Sequence, residues 1–584
     1  VGRLTTYLLR YRWRYAAGAL FLLATASLAM LVPYLLKLAV DTIAGGGSFG
    51  DVAWLAIAMV GVALVQAVVR TFSRSLIFNT GRDVEYDLRN DLFAHLLRLP
   101  QSYYLRQQTG DLMSRLVNDV GAVRMLLGPG ILNLVNTPLY YVYALAIMLS
   151  LDARLTLVSL LPYPILLWVV KHYSRQLMEG TVRVQAGLAD LSSRVQENIS
   201  GMHVVKAYAR ADFEKAKFEE ANASFTHESV RLADVRGRMF PSMRVAAGLG
   251  TLAVLWYGGT HVIEGRLSLG DFVAFIAYLN MLAWPTMALG WMISILQRGR
   301  AAMLRLEHIF AVEPEIADGD AGGSTSDSSP PGDHPAVEFR GVSFSYAEPN
   351  GHRADLEQID LRLPAGRKLA VVGRTGAGKS TLVNLLPRLF DAGSGAVLVD
   401  GRDVRSYRLQ DLRSRIGFVP QDPFLFSATI RENIAFGIDA PDEARLRAAA
   451  EAAGLKPDLE TFPAGYDTVV GERGITLSGG QRQRLTLARA LYEDPPILVL
   501  DDALSSVDTR TEQRILEHLR EVRRGRTTIL VAHRLSAVQD ADLIAVLDGG
   551  GVAELGDHES LLRQGGLYAD LFRRQRLEEE VASL

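Results

Sequence analysis

Apolar residues cluster in six long runs over the first half of the chain, at residues 15–40, 52–77, 126–151, 155–173, 240–263 and 269–296. Each approaches the about 20 residues that a helix needs to cross hydrocarbon, so the pattern predicts six transmembrane helices within residues 15–310. The connections alternate in length. Those at 41–51, 152–154 and 264–268 are short, whereas 78–125 and 174–239 are long and polar. Val84, Leu88, Leu92, Phe93 and Leu96 repeat at helical spacing within the first long connection. Val195 and Ile199, then Phe213, Lys217 and Ala221, do so within the second. Both are therefore expected as helices running on beyond the bilayer and joined by turns, since structureless loops of that length are rare in folded chains.

Charge orients these spans. Arg3, Arg10, Arg12 and Arg14 precede the first run, and Arg70, Arg74, Lys171, Arg175, Arg298 and Arg300 sit at matching ends of later ones. The positive-inside rule then puts the long connections and the N-terminus in the cytoplasm. The apolar stretch after the first arginines is too long for a signal peptide, and no small-residue cleavage site follows it. Leu4, Leu8, Tyr11 and Tyr15 fall at helical spacing. Residues 1–14 thus read either as an amphipathic elbow on the cytoplasmic leaflet or as the frayed start of the first span.

The pattern changes past residue 310. Residues 311–335 are expected to be a flexible linker that buries nothing, rich in Gly, Ser, Asp and Pro from Ala317 to Pro335. Short apolar strands then appear at 337–344, 368–372, 396–399, 416–419, 497–500 and 528–531, with helical stretches at 443–453 and 481–492. That alternation predicts an α/β domain over 336–575, followed by a solvated tail at 576–584. A chain of 584 residues, 49% hydrophobic and 22% charged, accommodates this multi-domain plan. Its net charge of −2 points to no nucleic-acid partner. With no cysteine it has no disulfide, thiolate metal site or thiol nucleophile.

Gly373-Arg374-Thr375-Gly376-Ala377-Gly378-Lys379-Ser380, with Thr381 next, follows a predicted strand and opens a helix. That is the context of a P-loop, in which backbone N–H groups and a helix N-terminus cradle phosphates. Lys379 is expected on the β/γ oxygens and Ser380 on Mg²⁺. Asp501 closes the apolar run Ile497–Leu498–Val499–Leu500 and fits the Mg²⁺-side carboxylate. Leu477-Ser478-Gly479-Gly480-Gln481 is a second anion-binding element at a helix start.

A P-loop followed by this pentapeptide resembles the nucleotide-binding domain of ABC transporters, and the resemblance spans nearly the whole chain. It implies ATP and Mg²⁺ as cofactors, and two domains paired head to tail so that each pentapeptide, or signature, covers the other's ATP. Tyr346 resembles the aromatic that stacks on adenine. Gln421 resembles the glutamine that senses Mg²⁺ and water. His533 resembles the switch histidine that holds the γ-phosphate, and Asp508 belongs to a loop like that crossing the dimer interface. Glu472 resembles the segment that meets the membrane helices. Tyr103 and Tyr104, with Gly110-Asp111-Leu112, are similar to the first coupling turn of ABC exporters, and residues 197–207 to the second. Six spans fused ahead of one nucleotide domain imply a half-transporter of exporter type in the inner (plasma) membrane, working by alternating access.

Asp502 departs from the family pattern, which has the catalytic glutamate there. The shortened carboxylate beside an intact signature resembles the degenerate-site subunit of heterodimeric multidrug and peptide exporters. It implies a second half-transporter that supplies the glutamate; Asp502 serving in a homodimeric exporter or lipid flippase is the alternative. An ATP-gated channel or regulatory subunit is a further class, disfavoured because no intramembrane ring of charge suggests an ion pore. Met281, Trp284, Met287, Trp291 and Met292 line one span. They suit either a cavity for amphipathic drugs, lipids or peptides, or ordinary helix packing and lipid contact.

Overall fold

The computed structural model describes residues 2–318, 336–346, 355–471, 477–507, 509–522, 524–532, 534 and 537–582. The chain forms two compact units. One comprises Val1–Leu97 and Thr109–Val312, the other Arg98–Gln108 and Glu313–Leu584.

The first unit is helical: α1 (Gly2–Arg10), α2 (Arg12–Ala44), α3 (Phe49–Leu96), α5 (Thr109–Leu151), α6 (Ala153–Ser200), α7 (Met202–Ala207), α8 (Ala211–Ile263) and α9 (Leu269–Phe310), with α4 (Gln101–Arg106) in the second unit. Six of these, α2, α3, α5, α6, α8 and α9, are long and apolar enough to cross a membrane. The long polar connections are the same helices continued. In α3 the predicted stripe Val84, Leu88, Leu92 and Leu96 is buried, but Phe93 faces out. Val195, Ile199 and Phe213, at helical spacing on a mixed face of the second connection, are exposed in this unit. Backbone bonds lengthen to the π pattern at Arg115–Asp119, Leu126–Gly130 and Val254–Gly258, and the second of these carries Pro129, which has no N–H to donate.

Helix α1 stands apart from α2 across Tyr11. From α1, the Tyr11 junction and the first turn of α2, tyrosines and arginines grip α3 at one-turn intervals: Tyr7 Oη donates to Asp91 at 2.6 Å, Arg10 pairs with Asp87 at 2.6 Å, Tyr11 Oη donates to Asp87 at 2.9 Å, and Arg14 pairs with Asp83. The elbow's tyrosines thus face protein, and Leu9 and Trp13 are the exposed apolar pair. Where the short connections lie, α2 and α9 are stapled. Lys37 Nζ sits 2.6 Å from Asp271, Ser268 Oγ donates to Asp41 at 3.0 Å, and Gly270 N donates to Asp41 at 2.8 Å. Deeper in the same pair, buried Tyr278 donates its hydroxyl to Met30 O at 2.9 Å. Of the Met/Trp positions along α9, Trp291 is exposed and Met281 packs on the neighbouring core; the side chains of Trp284 and Met287 lie outside the described ones.

The second unit holds two sheets. Strands β1 (Val337–Phe344), β2 (Leu356–Leu363), β4 (Ser394–Val399) and β5 (Arg402–Asp403) pair antiparallel in the order β2-β1-β4-β5. The larger sheet runs β10-β9-β3-β8-β7-β6, built from β3 (Lys368–Gly373), β6 (Ile416–Val419), β7 (Ile497–Asp501), β8 (Thr527–Val531), β9 (Leu543–Asp548) and β10 (Gly551–Gly556). All its pairings are parallel except β9 with β10. The parallel strands β3, β7 and β8 are almost wholly buried, as sheets covered on both faces require. The helices used below are α10 (Lys379–Asn384), α11 (Gly479–Tyr492), α12 (Thr509–Val522) and α13 (Leu567–Ala582). Residues 576–582, expected as a tail, continue α13 with Leu577 and Val581 exposed. Ala317 and Asp318, expected in the linker, are held on the nucleotide unit: Arg388 donates to Ala317 O at 2.8 Å and Leu409 N to Asp318 at 2.9 Å.

Candidate ATP site

Parallel strands end on one edge, and ligands of such sheets bind beyond those carboxyl ends. Among the described residues, that edge collects several of the predicted ones. The P-loop leaves β3, Asp501 and Asp502 end and follow β7, and Gln421 lies two residues past β6 in an exposed bend. His533 follows β8 by two residues in sequence; it, Asp508 and Glu472 lie outside the described residues.

The loop Gly373–Gly378 turns back so that α10 begins at Lys379. Gly378 has φ +91°, and a Cβ there would meet Asp355 O at 2.5 Å, so no other residue fits. Lys379 is buried and donates to Gly373 O and Arg374 O, both at 2.9 Å. Burial pushes its ammonium pKa down, against the pull of Asp502 and Asp501. A buried cation resting on backbone carbonyls at a helix N-terminus is poised for an anion. Ser380 Oγ donates to buried Asp501 at 3.0 Å. That hydroxyl and carboxylate are hard oxygen donors suited to Mg²⁺. Arg374, Thr375, Gly376, Ala377 and Thr381 complete the loop and first helical turn.

Asp502 is half-buried and in left-handed backbone, φ +47°. Its N–H donates to Val531 O at 3.0 Å, and its carbonyl accepts from Ser505 Oγ at 3.0 Å. Both ends of its backbone are thus tied to neighbouring segments. Tyr346 stands edge-on to Phe344 and Phe390, with ring centroids 4.9 and 5.2 Å away, and Asp355 accepts from its backbone N–H at 2.9 Å.

At the start of α11, Ser478 is the N-cap. Its Oγ accepts from Gln481 N at 3.2 Å, and Gln481 Oε1 accepts from Ser478 N at 2.9 Å. Gln481 Nε2 donates to Asp458 at 3.1 Å, so its side chain organises the turn internally. Ser478 is exposed, Gly479 half-buried and Gly480 buried at this helix start. Tyr103 and Tyr104 stack edge to face at 5.5 Å on α4. Sequence reasoning missed Gln483, Glu512 and Arg534, which brace the loop after Asp502. Nothing in their spacing singles them out, because they converge only when the strands are assembled.

Comparison with known proteins agrees with this geometry. Residues 15–286 match the family described as ABC transporter transmembrane region, and residues 356–505 match ABC transporter. The chain is 36% identical over 571 residues to the probable multidrug resistance ABC transporter ATP-binding/permease protein YheI of Bacillus subtilis, covering 97% of this chain and 96% of that one. It is 33% identical over 568 residues to an ATP-dependent lipid A-core flippase of Syntrophus aciditrophicus, covering 97% and 93%. Its fold matches the structure of a bacterial Atm1-family ABC exporter with ATP bound, at TM-score 0.79 and 30% identity over 97% of this chain and 98% of the other. With six candidate spans followed by an ATP-hydrolysing domain on one polypeptide, the chain belongs to the ABC exporters as a half-transporter.

Proposed function

We propose that this half-transporter is the impaired-site subunit of a heterodimeric exporter, moving amphipathic drugs, lipids or peptides out of the cytoplasm across the inner membrane, with its nucleotide domain on the cytoplasmic side. The observation that carries the reading is Asp502. In phosphoryl transfer to water, catalysis is mostly positioning. Aspartate withdraws the carboxylate by roughly 1 Å relative to glutamate, a displacement that costs about 10²-fold in rate. The backbone bonds from Asp502 to Val531 and Ser505 oppose a shift of the main chain that would make up the missing length.

Binding is expected to persist where hydrolysis is slow. Lys379 and the loop amides hold the phosphates, Tyr346 faces the adenine, and Ser380 and Asp501 would hold Mg²⁺, which neutralises phosphate charge when bound. Gln421 and His533 orient the water and the γ-phosphate. Ser478 and the amides of Gly479 and Gly480 serve the partner's ATP, Asp508 crosses to that site, and Tyr103, Tyr104 and Glu472 pass the closure on to the membrane helices. A homodimeric exporter or lipid flippase is the second reading, since the intact signature would serve a second copy as well as a different partner, and relatives are named as lipid A-core flippases.

Asp502→Glu separates the two. The purified wild-type chain alone should hydrolyse Mg-ATP slowly, and Asp502→Glu should raise its rate by up to about 10²-fold. In the assembled heterodimer, Asp502→Ala should change turnover little, while Ser478→Arg should nearly abolish it by placing bulk against the partner's γ-phosphate. A wild-type homodimer that already turns over at the Asp502→Glu rate would sink the asymmetric reading.

A further inference from the structure

Gln483 lies on α11 two residues beyond the signature and is 2% exposed. Both ends of its amide are spent on the loop that follows Asp502. Nε2 donates to Ser505 Oγ at 3.0 Å, and Oε1 accepts from Ser506 N at 2.9 Å. Ser505 Oγ in turn donates to Asp502 O at 3.0 Å. An unbroken chain of hydrogen bonds therefore runs from the signature helix to the backbone of the residue at the catalytic position. The other side of the same loop is also held. Arg534 Nη1 donates to Val507 O at 3.3 Å and to Glu512 at 2.6 Å, and Glu512 is 6% exposed at the start of α12. Burial raises the Glu512 carboxyl pKa, and the Arg534 guanidinium opposes that shift. Arg534 directly follows His533 in sequence, and Val507 directly precedes Asp508.

We infer that Gln483 is a positioning residue that couples the two ATP sites of the dimer, by locking the loop 502–507 to the signature helix, with Arg534 and Glu512 as the opposite jaw. The inference rests on the reading that this signature covers the partner's ATP. A phosphate drawn against Ser478 moves or stiffens the start of α11. Gln483 transmits that to Ser505 and Ser506, and so to Asp502 and to the loop as far as Val507. Coupling of this kind is reciprocal for binding, so nucleotide at this chain's P-loop alters the signature's hold on the partner's nucleotide by the same factor. A buried amide suits the task because its two hydrogen bonds have fixed directions, and a loop that slips leaves both ends unsatisfied.

The test uses the full-length chain in its assembled dimer in lipid nanodiscs, with Mg-ATP as the probe. Gln483→Leu keeps the volume and removes both hydrogen bonds. It should lower kcat by about tenfold, with KM changed by less than about threefold, and should flatten a cooperative dependence on ATP to a hyperbola, within the usual range of a coupling between sites. Ser505→Ala alters an exposed side chain and should leave the melting temperature unchanged while reproducing most of the loss. The double variant should be no worse than Gln483→Leu alone, because members of one network are not additive. Additive losses, or wild-type kcat and ATP dependence in both single variants, would overturn the clamp. If Ser478→Arg abolishes turnover while Gln483→Leu is normal, the clamp alone falls. If Ser478→Arg is itself neutral, the head-to-tail pairing falls and the clamp with it.

Discussion

Lys368 opens β3 and Lys379 follows the same strand's phosphate loop, and burial weakens the charge of both. On the proposed reading Lys379 has a use for that penalty, since bound phosphate would add an anion to the pull of Asp501 and Asp502. Lys368 has none: burial and the nearby Arg520 push its pKa down to about 8, against a smaller pull from Asp542. A folded-state pKa below the ordinary 10.5 means that the charged form is penalised in the fold, so this group lowers stability below pH 8 and the penalty fades between 8 and 10.5. Lys368→Met should therefore raise the melting temperature at pH 7, by the equivalent of roughly 1–3 kcal/mol. The advantage should shrink as pH rises through that window; a constant difference would mean that packing, not charge, is responsible. At this scale the phosphate loop was legible because its chemistry is local in sequence. Gln483, Glu512 and Arg534 were not, since a lone glutamine, glutamate and arginine acquire meaning only through partners that the sheet brings alongside.

At the scale of elements, long apolar runs announced all six spans, and helical spacing announced their extensions. Strand β2 was missed although its burial alternates, because Glu357, Gln358, Asp360 and Arg362 break up its apolar positions and leave no continuous run to notice. The half-exposed edge strand β10 was missed for a related reason, since its glycines and Glu554 leave few apolar side chains. Of the π-helical segments, Leu126–Gly130 carries Pro129, whose missing N–H interrupts the regular ladder, whereas Arg115–Asp119 and Val254–Gly258 hold no proline to mark them. Close packing between helices leaves as little trace in sequence. That packing is tight where α2 and α9 are stapled. A Cβ on Gly270 would lie 2.3 Å from Lys37 O and 2.6 Å from the Asp41 carboxylate. Gly270→Ala should drive the two helix ends apart, break the Gly270–Asp41 bond and cost about 1–3 kcal/mol, as overpacking usually does. Thermal unfolding in detergent reads it. Lys37→Met, which spares the backbone, should cost less; equal losses would show that the ion pair and not the close approach holds this end.

Taken as a whole molecule, the chain visits its nucleotide unit twice, at Arg98–Gln108 and again from Glu313 onward. The two units are therefore interlaced along the polypeptide, joined at three crossings where a simple tandem fusion would have one. A protease site introduced within residues 319–335 tests the consequence. After complete cleavage the C-terminal fragment should still co-purify with the N-terminal one, because the excursion that carries Tyr103 and Tyr104 remains lodged with it. Tyr103→Ala combined with Tyr104→Ala should weaken that retention, and release of the fragment from the intact sequence would contradict it. Fragments that stay together would make the covalent connection largely dispensable for holding the pump together, and changes of length between residues 319 and 335 should then leave assembly and ATPase activity intact.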